Sequence, residues 1–315
     1  MRAIIGTDPE EAARRLAMGQ LVALPTETVY GLGGNALNPR AVSGVFTAKN
    51  RPSFDPLILH QSSSERILAY AQQIPHEARR LAEALWPGPL TLVLPRVSSV
   101  PDLVTAGLDT VALRVPSHPL IREVLERVDF PVAAPSANPF GFVSPVTAAH
   151  VADQLGDRID YILDGGTCRV GLESTIVGFA GGAPTVLRKG GTAVEDIESV
   201  LGRSVEVRTL SSSRPTAPGM LVSHYSPGIA LTLVEVAAEA GTAERAVVRF
   251  GDANGAGGQH EYNLSVAGDL EEAARNLFTV LRRLAAGGYR SATVELVPER
   301  GLGRAINDRL RRASN

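Results

Sequence analysis

The sequence predicts an α/β fold in two domains. Short apolar runs alternate with amphipathic helical segments along residues 1–202, which is typical of an α/β domain. The periodicity fails between Gly202 and Gly228, where Ser, Pro and Gly are frequent, and resumes afterwards. A length of 315 residues suits roughly two domains. We therefore expect a first domain at 1–202, a linker at 203–228 and a small second α/β domain at 229–315.

Helix and strand signals place the elements in order. Asp8 and Pro9 start a helix that Gly19 stops, and Asn38 and Pro39 start another that ends near Lys49. Further helices are predicted at 77–86, 120–127, 148–155, 194–201, 270–284 and 302–312. Strands are predicted at 21–24, 57–59, 90–94, 111–115, 132–134, 159–163, 174–177, 185–188, 229–234, 246–250 and 292–296, with a Gly-rich turn at 251–258.

Charge and cysteine content exclude several classes of protein. The 31 basic and 33 acidic residues leave a net charge of −2, so no bulk positive field recruits nucleic acid. The single cysteine, Cys168, excludes an internal disulfide and a multi-cysteine metal site. No apolar run approaches the ~18 residues of a membrane helix, and no basic start followed by an apolar stretch appears at the N-terminus, so we expect no export signal. We expect a cytoplasmic protein with no membrane partner.

The first polar cluster follows the predicted strand 21–24. Thr26, Glu27, Thr28 and Tyr30 lie there, and the glycines at 31, 33 and 34 are expected to let backbone amides approach an anion. A polar turn is the alternative. Cations at 49 and 51 are expected to project from an edge as a phosphate or carboxylate clamp, or else to cap a solvated helix end.

Other polar groups also follow apolar strands. Ser136, Asn138 and Ser144 lie among small residues and offer hydrogen bonds to a ligand. Arg114, inside an apolar strand, is costly unless it meets a substrate carboxylate or a structural Asp. Two further polar segments are Glu-Ser-Thr at 173–175 and Arg-Lys-Gly-Gly at 188–191. Neither segment by itself indicates a particular function. No P-loop, nucleophile elbow or histidine pair with metal spacing occurs.

Together the motifs resemble the YrdC-type domain of threonylcarbamoyl-AMP synthases. They are PTETVYGLG at 25–33, K-x-R-P at 49–52, SAN at 136–138 with a later Ser-Pro, ESTI at 173–176 and L-R-x-G-G at 187–191. The segments APGM at 217–220, HYSP at 224–227 and GLGRAI at 301–306 resemble the long two-domain form. The resemblance implies a twisted mixed open sheet with a large cavity, followed by a smaller Rossmann-like C-terminal domain.

The resemblance implies a reaction of L-threonine, bicarbonate or CO2, and ATP. Its products are L-threonylcarbamoyl-adenylate and pyrophosphate, in the first step toward the t6A37 modification of tRNA. Mg2+ is expected on the ATP phosphates, with no metal ligand from protein side chains. The adenylate then passes to downstream threonylcarbamoyl-transferase machinery and tRNA.

The resemblance also implies roles for particular residues. The threonine pocket comprises Thr28, His60, Arg114, the Ala134 backbone and Ser174, the ATP contacts are Arg51, Asp55, Thr110, Ser136, Ser144, Arg188 and Tyr225, and the catalytic residues are Lys49 and Arg51. His60 is a candidate general base, which the sequence does not decide. Asn50 replaces an expected glycine, and Leu-Val-Ser at 221–223 replaces a more basic stretch.

Two other functions remain open at this point. A related domain uses carbamoyl phosphate to make a carbamoyl adenylate, but its relatives carry zinc fingers or a metal-binding histidine domain that this chain lacks. Isolated YrdC-like domains have also been linked with double-stranded RNA, although a net charge of −2 argues against a dominant electrostatic binder.

Overall fold

A computed structural model describes residues 2–208, 225–251 and 258–314, and it contains two β-sheets with flanking helices. The strands are β1 (Ile4–Gly6), β2 (Val22–Leu24), β3 (Gly31–Asn35), β4 (Ile58–His60), β5 (Leu90–Pro95), β6 (Thr110–Arg114), β7 (Val132–Ala133), β8 (Tyr161–Leu163), β9 (Thr175–Gly178), β10 (Thr185–Arg188), β11 (Glu206–Val207), β12 (Ala230–Val234), β13 (Arg245–Arg249), β14 (Glu261–Asn263) and β15 (Ser291–Glu295). The helices are α1 (Pro9–Ala17), α2 (Pro39–Lys49), α3 (Ser64–Leu68), α4 (His76–Leu85), α5 (Asp102–Thr105), α6 (Pro119–Arg127), α7 (Ala148–Leu155), α8 (Val194–Leu201), α9 (Leu270–Ala286) and α10 (Gly303–Ala313), with a 3-10 turn at Ala180–Gly182.

The larger sheet has eleven strands in the order β1-β8-β2-β3-β7-β4-β6-β5-β9-β10-β11. The sheet contains parallel pairs such as β4 with β6 and antiparallel pairs such as β5 with β6. The predicted mixed sheet is therefore confirmed. Its last strand, β11, pairs with β10, so this sheet continues past the predicted domain limit at residue 202. Most of the predicted linker, residues 209–224, lies outside the described residues.

Two apolar cores hold the helices against this sheet. Leu16 of α1 and Ile121 of α6 pack with β2 and β8, whereas Phe46 of α2, Leu81 of α4 and Ile197 of α8 pack with β5 and β6. The predicted caps form as well, because the carboxylate of residue 8 and the amide oxygen of residue 38 accept hydrogen bonds from the first turns of α1 and α2. Sequence patterning alone therefore located both helix starts.

The glycine-rich segment after the first polar cluster is a buried interior strand, which the predicted strands do not include. This strand, β3, pairs antiparallel with β2 and β7. A Cβ on Gly34 would lie 3.2 Å from Val45 Cγ2 and 3.4 Å from the Ala41 carbonyl oxygen in α2. The small residue thus allows α2 to pack closely on the sheet. Strand propensity misses it because glycine is depleted in strands.

The second domain has a parallel sheet in the order β12-β15-β13-β14, as a small α/β domain requires. The predicted Gly-rich turn falls mostly on residues 252–257, which lie outside the described residues. Leu277 and Phe278 of α9 share one apolar core with Val143 and Leu172 of the first domain. The two domains are therefore joined by buried apolar surface.

The chain after β10 crosses the segment before β9 at Gly190. A Cβ there would lie 2.3 Å from the Glu173 carbonyl oxygen and 2.6 Å from the Ser174 carbonyl oxygen, closer than real contacts allow. Only glycine fits this backbone crossing without displacing one segment.

Gly190→Ala should lower the free energy of unfolding by about 1–3 kcal/mol, the usual cost of overpacking. Gly44→Ala is the matched control, because a Cβ in the middle of α2 meets only side-chain atoms of Leu21 at 3.5 Å or more. Helix propensity predicts that this control is neutral or stabilising by up to ~1 kcal/mol. Urea titration of both variants measures the difference; equal stabilities would contradict the crossing geometry.

Candidate active site

The floor of the site is one face of the larger sheet. His60 pairs with Arg114 across β4 and β6, and Ile58 pairs with Ala112 two residues earlier. Since side chains alternate along a strand, all four lie on the same face. Ile58 and Ala112 join Val93 and Ile176 in a small apolar cluster. The face is therefore polar at the carboxyl ends of β4 and β6 and apolar along their middle.

A cavity of about 50 Å³ opens above the polar end of this face. It is lined by Thr28, Val29, Arg51, Ile58, His60, Arg114, Ala134, Pro135, Ser136, Glu173, Ser174, Arg188 and Tyr225. All five residues predicted for the threonine pocket are in this lining. Four of the seven predicted ATP contacts accompany them.

The other predicted residues lie elsewhere. Thr110 lines a neighbouring cavity of about 480 Å³, together with the apolar side chains of Val93, Phe179 and Leu187. Asp55, Ser144 and Lys49 are buried, and the lining of neither cavity includes them. The structure therefore divides the predicted residues between a polar cavity, an apolar one and the wall behind the polar one.

Arg114 forms a buried ion pair with Glu27. Its Nη2 lies 2.7 Å from Glu27 Oε1, and its Nε donates to the Gly88 carbonyl oxygen. Burial opposes ionisation of Glu27, but the charge and hydrogen bond of Arg114 prevail and lower the pKa of this carboxyl. The structural partner is thus a glutamate, where an aspartate or a substrate carboxylate was expected. Breaking such a buried pair costs ~3–5 kcal/mol.

The expectation that Lys49 and Arg51 project from an edge is wrong, because both side chains are buried. Arg51 Nη2 lies 2.9 Å from Asp55 Oδ2, and the same guanidinium donates to two backbone carbonyl oxygens. Lys49 Nζ donates to the carbonyl oxygens of Ser136 and Asn138. Burial, and then the positive charge of Arg51, hold the pKa of Lys49 well below its usual range. The lysine therefore braces the backbone of residues 136–138.

His60 is a neutral hydrogen-bonding group. Burial, and then the charge of Arg114, lower its pKa to about 3, and its Nδ1 has no hydrogen-bond partner among the described residues. Such a weakly basic imidazole is a poor general base for an amine. It is better suited to hydrogen bonding with a ligand in the cavity.

Arg188 and Ser174 form another part of the wall. Arg188 donates from Nε and Nη2 to the Ser174 carbonyl oxygen, and from Nη2 to its hydroxyl. Burial lowers the pKa of Arg188 to about 10, so it stays cationic at neutral pH. Three arginines and one glutamate thus line the cavity.

That glutamate, Glu173, and its partner Arg309 were not among the predicted site residues. Glu173 Oε1 accepts from the Ser144 hydroxyl at 2.6 Å, and Oε2 accepts from Arg309 Nε at 3.0 Å. Burial opposes its ionisation, but Arg309 and Arg188 prevail and lower its pKa to about 2. Glu173 belongs to the ESTI motif, so the sequence offered a signal for it. Arg309 lies 136 residues further along the chain and belongs to no motif recognised in the sequence.

Tyr225 closes the cavity. Its side chain is buried, and its ring stacks on Phe278 with 5.5 Å between centroids. The guanidinium carbons of Arg309 and Arg312 each lie 5.2 Å from its ring centroid. Its predicted neighbour in the HYSP motif, His224, lies outside the described residues. Helices α9 and α10 of the second domain therefore position this tyrosine.

Buried arginines, hydroxyls and a neutral imidazole beside an apolar sheet face define a site for a small polar substrate and an anionic nucleotide, as in nucleotidyltransferases. Residues 14–190 match the Sua5/YciO/YrdC domain family, which is described as telomere recombination, and residues 192–315 match the threonylcarbamoyl-AMP synthase C-terminal domain. The chain belongs to the Sua5 family, in its two-domain form.

Individual members of the family match this chain over nearly its full length. The chain is 42% identical to the threonylcarbamoyl-AMP synthase of Pyrococcus abyssi, over 96% of this chain and 93% of that protein. It is 37% identical to the enzyme of that name in Bacillus subtilis, over 98% and 93%. The crystal structure of P. abyssi Sua5 complexed with L-threonine has a TM-score of 0.91 at 39% identity, covering 100% of this chain and 98% of that one. The family predicted from the motifs is therefore confirmed.

The free energy of unfolding should fall as the pH decreases from 6.5 toward 4.5, because folded His60 stays neutral while the unfolded histidine binds a proton. Its folded pKa of about 3 lies below the ordinary 6.5, so its stabilisation is complete above pH 6.5 and is lost below. Removing this group should reduce the slope by about 1.4 kcal/mol per pH unit.

Urea titrations at several pH values check this slope in the wild type and in His60→Gln. His76→Gln, at an exposed helix start, is the control and should keep the wild-type slope. Identical slopes for the wild type and His60→Gln would show that this histidine has the same pKa in the folded and unfolded states, which contradicts its burial as a neutral group.

Proposed function

We propose that the chain is an L-threonylcarbamoyl-adenylate synthase that consumes L-threonine, bicarbonate and ATP and releases pyrophosphate. The observation that carries this proposal is the polar cavity itself. Thr28, His60, Arg114 and Ser174 line it together with Arg51 and Arg188. The fold and family supply the background: relatives named threonylcarbamoyl-AMP synthase match over nearly the whole chain.

The threonine end uses groups that are already ordered. Arg114 uses one donor for Glu27 and one for the Gly88 carbonyl, of the five that a guanidinium has. The threonine carboxylate takes another donor of this arginine. His60, neutral at physiological pH, hydrogen-bonds the amino acid through its Nδ1, with the Thr28 hydroxyl, the Ser174 hydroxyl and the Ala134 backbone completing the pocket.

The nucleotide end is arginine-rich. Arg51 and Arg188 face the phosphates with Ser136, while Thr110 and the apolar side chains of the neighbouring cavity accept the nucleoside. A volume of about 50 Å³ has room for one or two water molecules. ATP therefore needs more room than this cavity offers, and Tyr225 is one of the lining residues that must make it.

The chemistry requires positioning and charge stabilisation. The deprotonated threonine amine attacks the carbon of bicarbonate, which loses water to give a carbamate. A carbamate oxygen then attacks the α-phosphorus, and pyrophosphate leaves. Arg51 and Arg188 stabilise negative charge on the phosphate oxygens as it develops. Lys49, predicted as catalytic, is a positioning residue in this scheme because its Nζ donates to the Ser136 and Asn138 carbonyl oxygens.

Mg2+ enters with ATP and reduces the charge of the leaving pyrophosphate. Among the residues that the structure describes, no cluster of three His, Cys, Asp or Glu side chains is arranged to hold a metal ion. In this proposal Mg2+ is therefore part of the ATP substrate and needs no carboxylate ligand from the protein. Arg51 and Arg188 supply the protein's own positive charge.

The adenylate is consumed by a threonylcarbamoyl-transferase that modifies tRNA, and we place the reaction in the cytoplasm, where tRNA is modified. In the described part of the chain no helix has the length and apolar character needed to cross a membrane.

Pyrophosphate release measures the proposed reaction directly. With ATP and Mg2+, release should require both L-threonine and bicarbonate, because the attacking carbamate forms only from the two together. Omission of either substrate is the control. Release with carbamoyl phosphate, in the absence of threonine, would instead assign the alternative carbamoyl-adenylate reaction.

Arg51→Lys should lower kcat/KM for ATP by roughly tenfold or more, because lysine lacks the planar fork that holds Asp55 and a phosphate together. Alanine at this position would also leave the buried carboxylate of Asp55 without its cationic partner, so the conservative variant tests the phosphate contact more directly. Arg203→Lys is the matched control, since Arg203 contacts Glu77 through two nitrogens on the surface. Equal kinetics for the two variants would exclude Arg51 from the nucleotide site.

A further inference from the structure

The C-terminal domain contributes a fully buried arginine to the wall of the first domain's cavity. Arg309 lies in α10, and its side chain has 0% exposure. The helix is otherwise strongly basic on its surface, with Arg304 and Arg311 in ion pairs at exposed positions. A buried charge is retained only where it is paired and hydrogen-bonded. The contacts of Arg309 therefore identify what it holds in place.

Arg309 contacts three different parts of the structure. Its Nε donates to Glu173 Oε2 at 3.0 Å, and its Nη2 donates to the Lys189 carbonyl oxygen at 2.9 Å, both in the first domain. Its Nη1 pairs with Asp308 on its own helix. Its guanidinium lies 5.2 Å from the Tyr225 ring centroid, within the range of a cation–π interaction. One side chain thus joins the C-terminal domain, the cavity wall and the residue that closes the cavity.

The carboxylate that Arg309 holds is unfavourable in a nucleotide site unless it is neutralised. Glu173 lines the cavity, and a triphosphate that enters carries several negative charges of its own. Arg309 offsets the charge of Glu173 at hydrogen-bond distance. The pair therefore reduces the negative charge that Glu173 presents to a phosphate in the cavity.

The same pair determines how Ser144 hydrogen-bonds. The Ser144 hydroxyl donates its proton to Glu173 Oε1 at 2.6 Å, so the carboxylate that Arg309 holds also fixes the direction of this hydroxyl. Arg282 of α9 contacts this residue from the other side, through its carbonyl oxygen and that of Val143. Two arginines of the C-terminal domain thereby hold the backbone and the hydroxyl of one predicted ATP contact.

We propose that Arg309 is a positioning residue for the nucleotide, supplied by the C-terminal domain through its contacts with Glu173 and Tyr225. This inference rests on the proposed function, because it assigns a task within the ATP site. It predicts a selective defect: ATP binding depends on Arg309, whereas threonine binding at the Arg114 end does not.

Steady-state kinetics of full-length variants test this selectivity. Arg309→Met should raise KM for ATP roughly tenfold or more while KM for threonine stays within about twofold, since the loss leaves a buried carboxylate uncompensated near the phosphates. Glu173→Gln in the Arg309→Met background should recover part of the ATP affinity, because a neutral amide needs no counter-charge. Arg311→Met, two residues along α10 in an exposed pair with Glu299, is the matched control and should behave as wild type.

Folding is checked by the melting temperature of each variant. If Arg309→Met does not fold, Arg309→Lys decides, because lysine keeps the charge and loses the forked contacts. A raised KM for ATP with unchanged KM for threonine supports the proposal. Equal changes in both constants, or unchanged kinetics, would overturn it and leave Arg309 a stabilising residue only. Failure of the proposed function is distinguishable, because the wild type itself would then show no threonine-dependent pyrophosphate release.

Discussion

The candidate site depends on the pairing of buried arginines with carboxylates and carbonyl oxygens of the protein, beside an apolar face of the sheet. Each cavity-lining arginine has a protein partner: Arg114 has Glu27, Arg51 has Asp55, and Arg188 has the Ser174 carbonyl. A guanidinium without such a partner would be costly to desolvate and free to change rotamer. The carboxylates next to an anion-binding site are thus explained by the need to hold arginines in place before a ligand arrives. Preorganised charge of this kind stabilises a transition state without a reorganisation cost.

Strand alternation, one buried lysine and contacts between the domains produce this arrangement. The two-residue period of β4 and β6 puts His60 and Arg114 at one end of a face and apolar residues at its middle. A buried lysine at the end of α2 holds the 136–138 backbone against this face. The C-terminal domain then covers the cavity through a shared apolar core and through Arg309. Local strand geometry therefore positions His60 and Arg114, whereas contacts between the domains position Glu173 and Tyr225.

Sequence reasoning succeeded where the signal is local. The caps at Asp8 and Asn38, the helix limits at 148–155 and 194–201, and the ordered motifs depend on neighbours in the chain. It failed where tertiary packing overrides local preference. The glycine-rich segment Gly31–Asn35 has low strand propensity, yet it forms the interior strand β3. Lys49 could be interpreted as the solvated end of a helix, yet its side chain is buried. The pair of Glu173 with Arg309 had no signal in a single sequence, because nothing in either segment specifies a contact across two domains.

The central claim is that one cavity holds an amino acid at the Arg114 end and a triphosphate at the Arg51 and Arg188 end. A crystal structure with L-threonine and a non-hydrolysable ATP analogue tests this most directly. The account predicts threonine in contact with Thr28, His60, Arg114 and Ser174, and phosphate oxygens within hydrogen-bond distance of Arg51 and Arg188. Threonine bound away from Arg114, or a triphosphate that contacts neither of the other two arginines, would contradict it.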